Sequence, residues 1–85
     1  MSVYFRKEFD KKYKKLHASV KLHFQKRLQL FLLDCYAPVL NNHALQEEYT
    51  CYRSINITGD LRALFKPVKD GYIFITIDTH SNLYS

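Results

Sequence analysis

Four histidines carry the side chains best suited to proton transfer in this 85-residue chain. His43 lies in a polar stretch before an alternating segment, and His80 follows the last apolar run. Because imidazole titrates near neutral pH, two imidazoles on one rim of a sheet would supply a general base and a general acid. His17 and His23 lie between and within helical patterns, and we interpret them as surface or boundary residues.

Two arginines lie on neighbouring predicted strands. Arg53 and Arg62 are each within a few residues of the turn at Gly59 and Asp60. A strand arginine has to pair or face solvent, and a guanidinium group presents a planar fork of donors that fits phosphate oxygens. Spacing alone leaves two interpretations open. They are a phosphate clamp and salt bridges with the nearby carboxylates Asp60, Glu47 and Glu48.

Other kinds of site are not favoured by the sequence. The histidines and cysteines lack paired metal-ligand spacing, and no glycine-rich phosphate loop is present. Ser81, His80 and Asp78 are unsuited to a catalytic triad, because strand neighbours point to opposite faces. Without an export signal we expect reduced thiols, with Cys35 in the core and Cys51 on a strand.

The first half of the chain predicts two amphipathic helices joined by a short link. Apolar residues recur every three or four positions at Phe5, Phe9, Tyr13 and Leu16. Ser19 is a candidate N-cap for the second helix, whose apolar stripe runs to Cys35. We expect an antiparallel helical hairpin that ends before Pro38, with a short edge strand possible over residues 2–5.

The second half predicts strands. Residues 41–48 are polar and favour a loop, and the alternating segments 49–57, 61–68 and 72–77 favour strands. Asp70-Gly71 is a strong hairpin turn between the last two strands. We therefore predict one α+β domain over residues 1–85, with the helical hairpin packed on an antiparallel sheet of three to four strands.

Composition restricts the class of protein. Hydrophobic residues make up 47% of the chain and aromatic residues 15%, which indicates a folded domain. No apolar stretch approaches the roughly 20 residues of a membrane span, and charges begin too early for a signal peptide, so we expect a cytoplasmic protein. The net charge is +5, with nine Lys/Arg against three Asp/Glu in residues 1–36. This basic half is either a solvated helix face or a polyanion-binding surface.

The order of motifs resembles the RelE/ParE superfamily of bacterial toxins, within it the YafQ-like mRNA interferases. The resemblance lies in "NNHALQEEYTCYRSINITGDLRALF" and in "IFITIDTHSNLY". These segments contain a His-x-Leu-Gln loop, a Tyr-Arg strand, a Gly-Asp-x-Arg turn and a closing Thr-His-x-x-Leu-Tyr. The match is close over residues 41–84 and looser over the helices.

The resemblance implies a RelE-like (microbial RNase-like) fold and the toxin of a type II toxin–antitoxin system. Such toxins cleave mRNA in the ribosomal A site without a metal or other cofactor, and a cognate antitoxin silences them. The implied partners are therefore an antitoxin, mRNA and ribosomal RNA. Candidate contacts to RNA backbone are the lysines of the first helix, Lys11, Lys12, Lys14 and Lys15.

The resemblance also implies a site. His43, Asp60, His80 and Tyr84 match active-site positions of the YafQ-like branch, and Arg62 and Arg53 match strand arginines. We expect His80 to act as general acid and His43 or Asp60 as base. Arg62, with Arg53, would bind phosphate, and Tyr84 would stack on or orient a base.

Three other functions remain open at this stage, and one is a basic domain that binds nucleic acid without cleaving it. Glu47, Cys51 and Asp78 stand where the family usually has glycine, so the chain would also fit an attenuated toxin that only binds its antitoxin. Asp78 would either weaken the attraction for RNA or favour the acid role of His80. The third alternative is a ParE-like gyrase inhibitor, which needs no acid–base pair.

Overall fold

The computed structural model describes residues 1–46 and 51–84, the side chain of Tyr84 excepted. Five strands and three helices occur in these residues, together with a short 3-10 helix at Pro38–Leu40. In chain order they are β1 (Ser2–Phe5), α1 (Lys7–Lys14), α2 (Ala18–Leu33), β2 (His43–Ala44), β3 (Arg53–Asn56), β4 (Leu61–Val68), β5 (Gly71–Thr79) and α3 (His80–Tyr84).

The described strands form one sheet in the order β1-β5-β4-β3-β2. The α+β class is confirmed, but the sheet has one strand more than predicted and is mixed. Strand β1 pairs with β5 in parallel, from Ser2 opposite Gly71 to Phe5 opposite Phe74, and the other pairs are antiparallel. The approach of β1 requires glycine at position 71, because a Cβ there would collide with the carbonyl oxygen of Ser2.

Strand β4 has the predicted bounds, and its neighbours differ from the prediction. The predicted loop over residues 41–48 is wrong at β2, where His43 pairs with Ser54 and Ala44 with Arg53. Strand β3 begins only at Arg53. Residues 47–48 of the predicted loop and residues 49–50 of the predicted strand lie outside the described residues.

The predicted positions of Cys51 and Ser19 are also wrong. Cys51 is exposed in a turn, and Cys35 packs against the core as expected. Helix α2 starts at Ala18 after His17, so Ser19 lies within its first turn instead of capping it. No helix in residues 1–46 or 51–84 is long and apolar enough to span a membrane.

The main core lies between the helices and one face of the sheet, which we call the helix face. Ile55, Ala63 and Ile77 stand opposite one another across β3, β4 and β5 and belong to this core. Phe9, Phe24 and Phe31 of the two helices pack in the same cluster. Alternation along each strand makes this face apolar and places the intervening residues on the other face.

The opposite face, which we call the cleft face, carries polar side chains beside apolar ones. Ser54, Leu64 and Thr76 form its central row. Leu64 packs with Leu45 and Leu83 in a second, smaller apolar cluster. Polar side chains of the strands can therefore face a cleft here.

The chain end is helical where the alternating pattern favours a continued strand. Strand β5 stops at Thr79, and α3 begins at His80. The Thr79 hydroxyl accepts a hydrogen bond from the Asn82 backbone amide at 3.2 Å, a bond typical of an N-cap. The strand spacing assumed for Ser81, His80 and Asp78 is therefore wrong from His80 onward, because this cap starts a helix.

Candidate active site

A cleft of about 450 Å³ opens on the cleft face. Residues from β2, β3, β4 and α3 and from the segments flanking β2 line it: Asn41, His43, Ala44, Leu45, Gln46, Ser54, Arg62 and His80. The structure therefore brings together three predicted site residues that are far apart in the sequence, His43, Arg62 and His80.

Strand pairing and a turn explain why these residues meet. His43 stands opposite Ser54, and Arg62 stands opposite Asn56 two positions further along β3. Paired residues of adjacent strands share a face, and so do residues two apart. His80 joins them from α3, because its backbone amide donates to the Asp60 carbonyl oxygen at 2.9 Å.

The ring of His43 is oriented by a backbone bond. Its Nδ1 atom lies 2.7 Å from the carbonyl oxygen of Asn41. A carbonyl only accepts, so Nδ1 carries a hydrogen and Nε2 is the nitrogen with a free lone pair in the neutral ring. Asn41 has a φ of 46°, a left-handed conformation that asparagine tolerates better than most residues. The arrangement is suited to a general base.

Arg62 is anchored through one nitrogen of its guanidinium group. Nη1 donates to the carbonyl oxygens of Thr58, Gly59 and Leu61, each at 3.2 Å. Within the described parts of the chain, Nη2 and Nε have no protein partner. The group is thus held at the cleft with donors left for an anion.

Arg53 does not line the cleft. It stands opposite Phe65, a core residue of the helix face, and alternates with Ser54. Its Nε donates to Asn42 Oδ1 at 2.8 Å, and its guanidinium lies 5.8 Å from the centre of the Tyr36 ring. In residues 1–46 and 51–84 neither Arg53 nor Arg62 forms an ion pair, so the alternative of a salt bridge to Asp60 is not observed. The other two candidate partners, Glu47 and Glu48, lie outside the described residues.

The remaining predicted site residues lie around the cleft. Asp60 is exposed in the turn after β3 and does not line the cleft. Tyr84 ends α3, and its side chain lies outside the described residues. On and after α1, Lys11, Lys14 and Lys15 are exposed, whereas Lys12 is half-buried.

Comparison with known proteins identifies the fold. No family model matches the chain, and no curated protein sequence matches it. Among solved structures, YafQ from Escherichia coli strain BL21(DE3) aligns with a TM-score of 0.75 and 22% identity over 99% of this chain and 98% of that one. The YoeB/ParE toxin from Agrobacterium tumefaciens aligns with a TM-score of 0.79 and 15% identity, covering 94% of this chain and 99% of that one.

A third match, the E. coli DinJ–YafQ toxin–antitoxin complex, has a TM-score of 0.74 and 22% identity, covering 99% of this chain and 97% of that one. The chain has the fold of YafQ and YoeB/ParE toxins. The fold expected from the motifs is therefore confirmed over nearly the whole length.

The carboxylate of Asp78 forms an ion pair with Lys12. Its Oδ2 lies 3.0 Å from Lys12 Nζ, and Lys12 Nζ is also 3.6 Å from Glu8 Oε2. Burial alone would raise the pKa of Asp78, but hydrogen bonds from Asn82, Lys12 and the Thr79 amide outweigh burial and lower it. The carboxylate is therefore ionised and paired with a cation.

The sequence reasoning missed Ser54. This residue lines the cleft and is 0% exposed, and its Oγ has no hydrogen-bond partner among the described residues. Thr76, at the far end of the same row, has a buried Oγ1 that likewise lacks a partner in residues 1–46 and 51–84. Ser54 and Asn56, at alternate positions on either side of the core residue Ile55, are the signal that predicts a polar face.

Proposed function

We propose that this protein is the toxin of a toxin–antitoxin pair and that it cleaves mRNA on the ribosome. The observation that carries the proposal is the convergence of His43, Arg62 and His80 on one cleft. RNA cleavage needs a base, an acid and a cation beside the phosphate, and these three side chains are of those types.

The reaction uses a nucleophile that RNA itself contains. His43 Nε2 takes the proton of a 2′-hydroxyl, whose oxygen attacks the adjacent phosphorus. The bond from phosphorus to the 5′-oxygen breaks, and His80 donates the proton that this leaving oxygen needs. The products are a 2′,3′-cyclic phosphate and a 5′-hydroxyl. The bond from His43 Nδ1 to the Asn41 carbonyl supports His43 over Asp60 as the base.

Arg62 is assigned to the charge that develops on the phosphate. Its Nη1 is held by three carbonyl oxygens, so the group is already ordered before RNA binds. A pre-ordered donor stabilises a transition state without a further ordering cost. We assign Arg53 to packing with Tyr36, and Asp60 to holding His80 through its carbonyl oxygen. Base stacking remains the role proposed for Tyr84.

The basic first helix supports binding to RNA. Lys11, Lys14 and Lys15 are exposed and make no ion pair with the described residues. Exposed lysines on one helix would contact ribosomal RNA backbone in a salt-dependent way. We propose on this basis that the protein acts with ribosomes in the cytoplasm. The matching fold of YafQ in complex with DinJ supports an antitoxin as the other partner.

The test is cleavage of mRNA on programmed ribosomes by the purified protein. We expect fragments from the wild type and from His17→Ala, a matched control because His17 is exposed and makes no capping bond. We expect strongly reduced cleavage with His43→Ala and His80→Ala. Intact mRNA with the wild type, together with inhibition of supercoiling in a parallel gyrase assay, would reject the proposal.

A further inference from the structure

The carboxylate of Asp78 joins three parts of the chain. Its Oδ2 accepts a hydrogen bond from Lys12 of α1 at 3.0 Å. Its Oδ1 accepts from the Asn82 side chain of α3 at 2.9 Å and from the Thr79 backbone amide at 2.8 Å. One side chain therefore ties α1, the end of β5 and α3 together.

Helix α3 needs such bonds. It has five residues, and helices this short are not stable by themselves in water. The hydroxyl of Thr79 and the carboxylate of Asp78 both hold Asn82, and the Asp60 carbonyl holds the amide of His80. His80 is the first residue of this helix, so the bonds that hold α3 also set where its ring lies in the cleft.

We propose that Asp78, clamped by Lys12, is a positioning residue that fixes α3 and thereby holds His80 in the cleft. The inference rests on the proposed function in one respect, the role of His80 as general acid. In this proposal Asp78 and Lys12 do not contact RNA and act only by positioning His80.

The clamp also explains how a carboxylate is tolerated beside a phosphate-binding arginine. Asp78 stands directly opposite Arg62 in the sheet. An unpaired carboxylate there would compete with phosphate for the guanidinium group. Because Lys12 binds Asp78, Arg62 keeps donors for the anion, and the local charge is neutralised.

The first experiment measures position without RNA. Amide hydrogen exchange of His80 and Asn82, and the NMR signals of the His80 ring, are compared in the wild type, Asp78→Ala and Lys12→Met. Lys7→Met is the matched control, since Lys7 is an exposed lysine at the start of the same helix. Loss of the Asp78 carboxylate should speed exchange of the His80 and Asn82 amides about tenfold, and exchange of the Leu64 amide should be unchanged.

The second experiment separates positioning from RNA binding. We expect Asp78→Ala and Lys12→Met to lower kcat more than they raise KM, and Lys12→Arg to restore most of kcat because arginine also donates to a carboxylate. If Lys12 acts through Asp78, the double variant is no slower than Asp78→Ala alone. If Lys12 acts on RNA, the two effects multiply, and KM carries the change.

The two experiments distinguish the possible failures. Unchanged His80 exchange and ring signals in both Asp78→Ala and Lys12→Met would overturn the inference, whatever the activity. A wild type that cleaves no mRNA, with His80 displaced in these variants, would reject the proposed function and leave the clamp itself supported.

Discussion

The Nδ1 atom of His43 lies 2.7 Å from the carbonyl oxygen of Asn41, which leaves Nε2 as the acceptor nitrogen of a residue that lines the cleft. His80 lines the same cleft from α3. If one imidazole is the general base and the other the general acid, the reaction rate should depend on pH in a characteristic way.

The pH profile of cleavage should have two limbs. A base has to be deprotonated and an acid protonated, so kcat should rise and then fall with increasing pH. His43→Ala should lose the acidic limb and His80→Ala the basic limb, each with a loss of about 10²–10⁴-fold at the optimum. Single-turnover rates on ribosomes test this prediction. An unchanged bell shape in either variant would contradict the assignment.

Arg62 and Arg53 make a matched pair, since they are the same residue type on adjacent strands with side chains on opposite faces. Arg62→Met should lower kcat about 10²–10³-fold, as removal of a pre-ordered donor to the transition state does. Arg53→Met should lower the free energy of unfolding by about 1 kcal/mol, because it loses the Asn42 bond and the Tyr36 contact.

The effect of Arg53→Met on kcat should be small, because Arg53 does not line the cleft. Denaturant unfolding and cleavage rates on the two variants test the pair. If Arg53→Met instead lowered kcat strongly and Arg62→Met left it unchanged, Arg62 would have no role in the site.

The Asp78–Lys12 pair should make stability depend on pH in two windows. The pKa of Asp78 is lowered from 3.8, so its contribution is present above pH 3.8 and is lost as pH falls through the folded-state value. Burial alone would lower the pKa of Lys12, but bonding to Asp78 and the nearby carboxylates raise it above 10.5. The contribution of Lys12 is therefore present below pH 10.5 and is lost as pH rises further.

At neutral pH, Asp78→Asn should lower the free energy of unfolding by about 0.5–1 kcal/mol, a small value because the Lys12 side chain is 38% exposed. The difference from wild type should vanish once pH falls below the folded-state pKa of Asp78. Asp10→Asn is the control, an exposed carboxylate of α1 that forms no ion pair with the described residues. A deficit that persists at low pH would show that the carboxylate charge is not its cause.

Gly71 and Gly59 should respond differently to alanine. A Cβ at Gly71 would collide with the Ser2 backbone, whereas a Cβ at Gly59 has no atom within 4 Å. Gly71→Ala should therefore displace β1 and lower the free energy of unfolding by about 1–3 kcal/mol. Gly59→Ala should stay within about 0.5 kcal/mol of wild type. Equal unfolding midpoints for the two variants would show that β1 does not pack as described.

The parts of the fold that sequence reasoning predicted are those with local signals at both ends. Strand β4 has the predicted bounds and lies between turns at Gly59-Asp60 and Lys69-Asp70. The second turn falls one residue before the predicted Asp70-Gly71, because Gly71 already pairs with Val68. Strand β2 has two residues and exists only through its pairing with β3, so no periodic pattern marks it. The parallel partner of β1 is likewise set by tertiary packing and not by its four residues.

The site was predicted in part. His43, Arg62 and His80 were identified through the motifs, and strand pairing brings them together. The face of Arg53 was predictable, because Arg53 and the core residue Ile55 are two apart on one strand and so share a face. The ion pair of Asp78 was not predictable, because its partner Lys12 lies on a helix far away in the sequence.

The most direct test of the central claim is the chemistry of the RNA ends. Programmed ribosomes incubated with the wild-type protein should yield upstream fragments ending in a 2′,3′-cyclic phosphate and downstream fragments beginning with a 5′-hydroxyl. An mRNA with a 2′-deoxynucleotide at the cleavage position should stay intact, because it lacks the nucleophile. Cleavage of that deoxy substrate at the normal rate, or equal fragment yields from His80→Ala and wild type, would contradict the account.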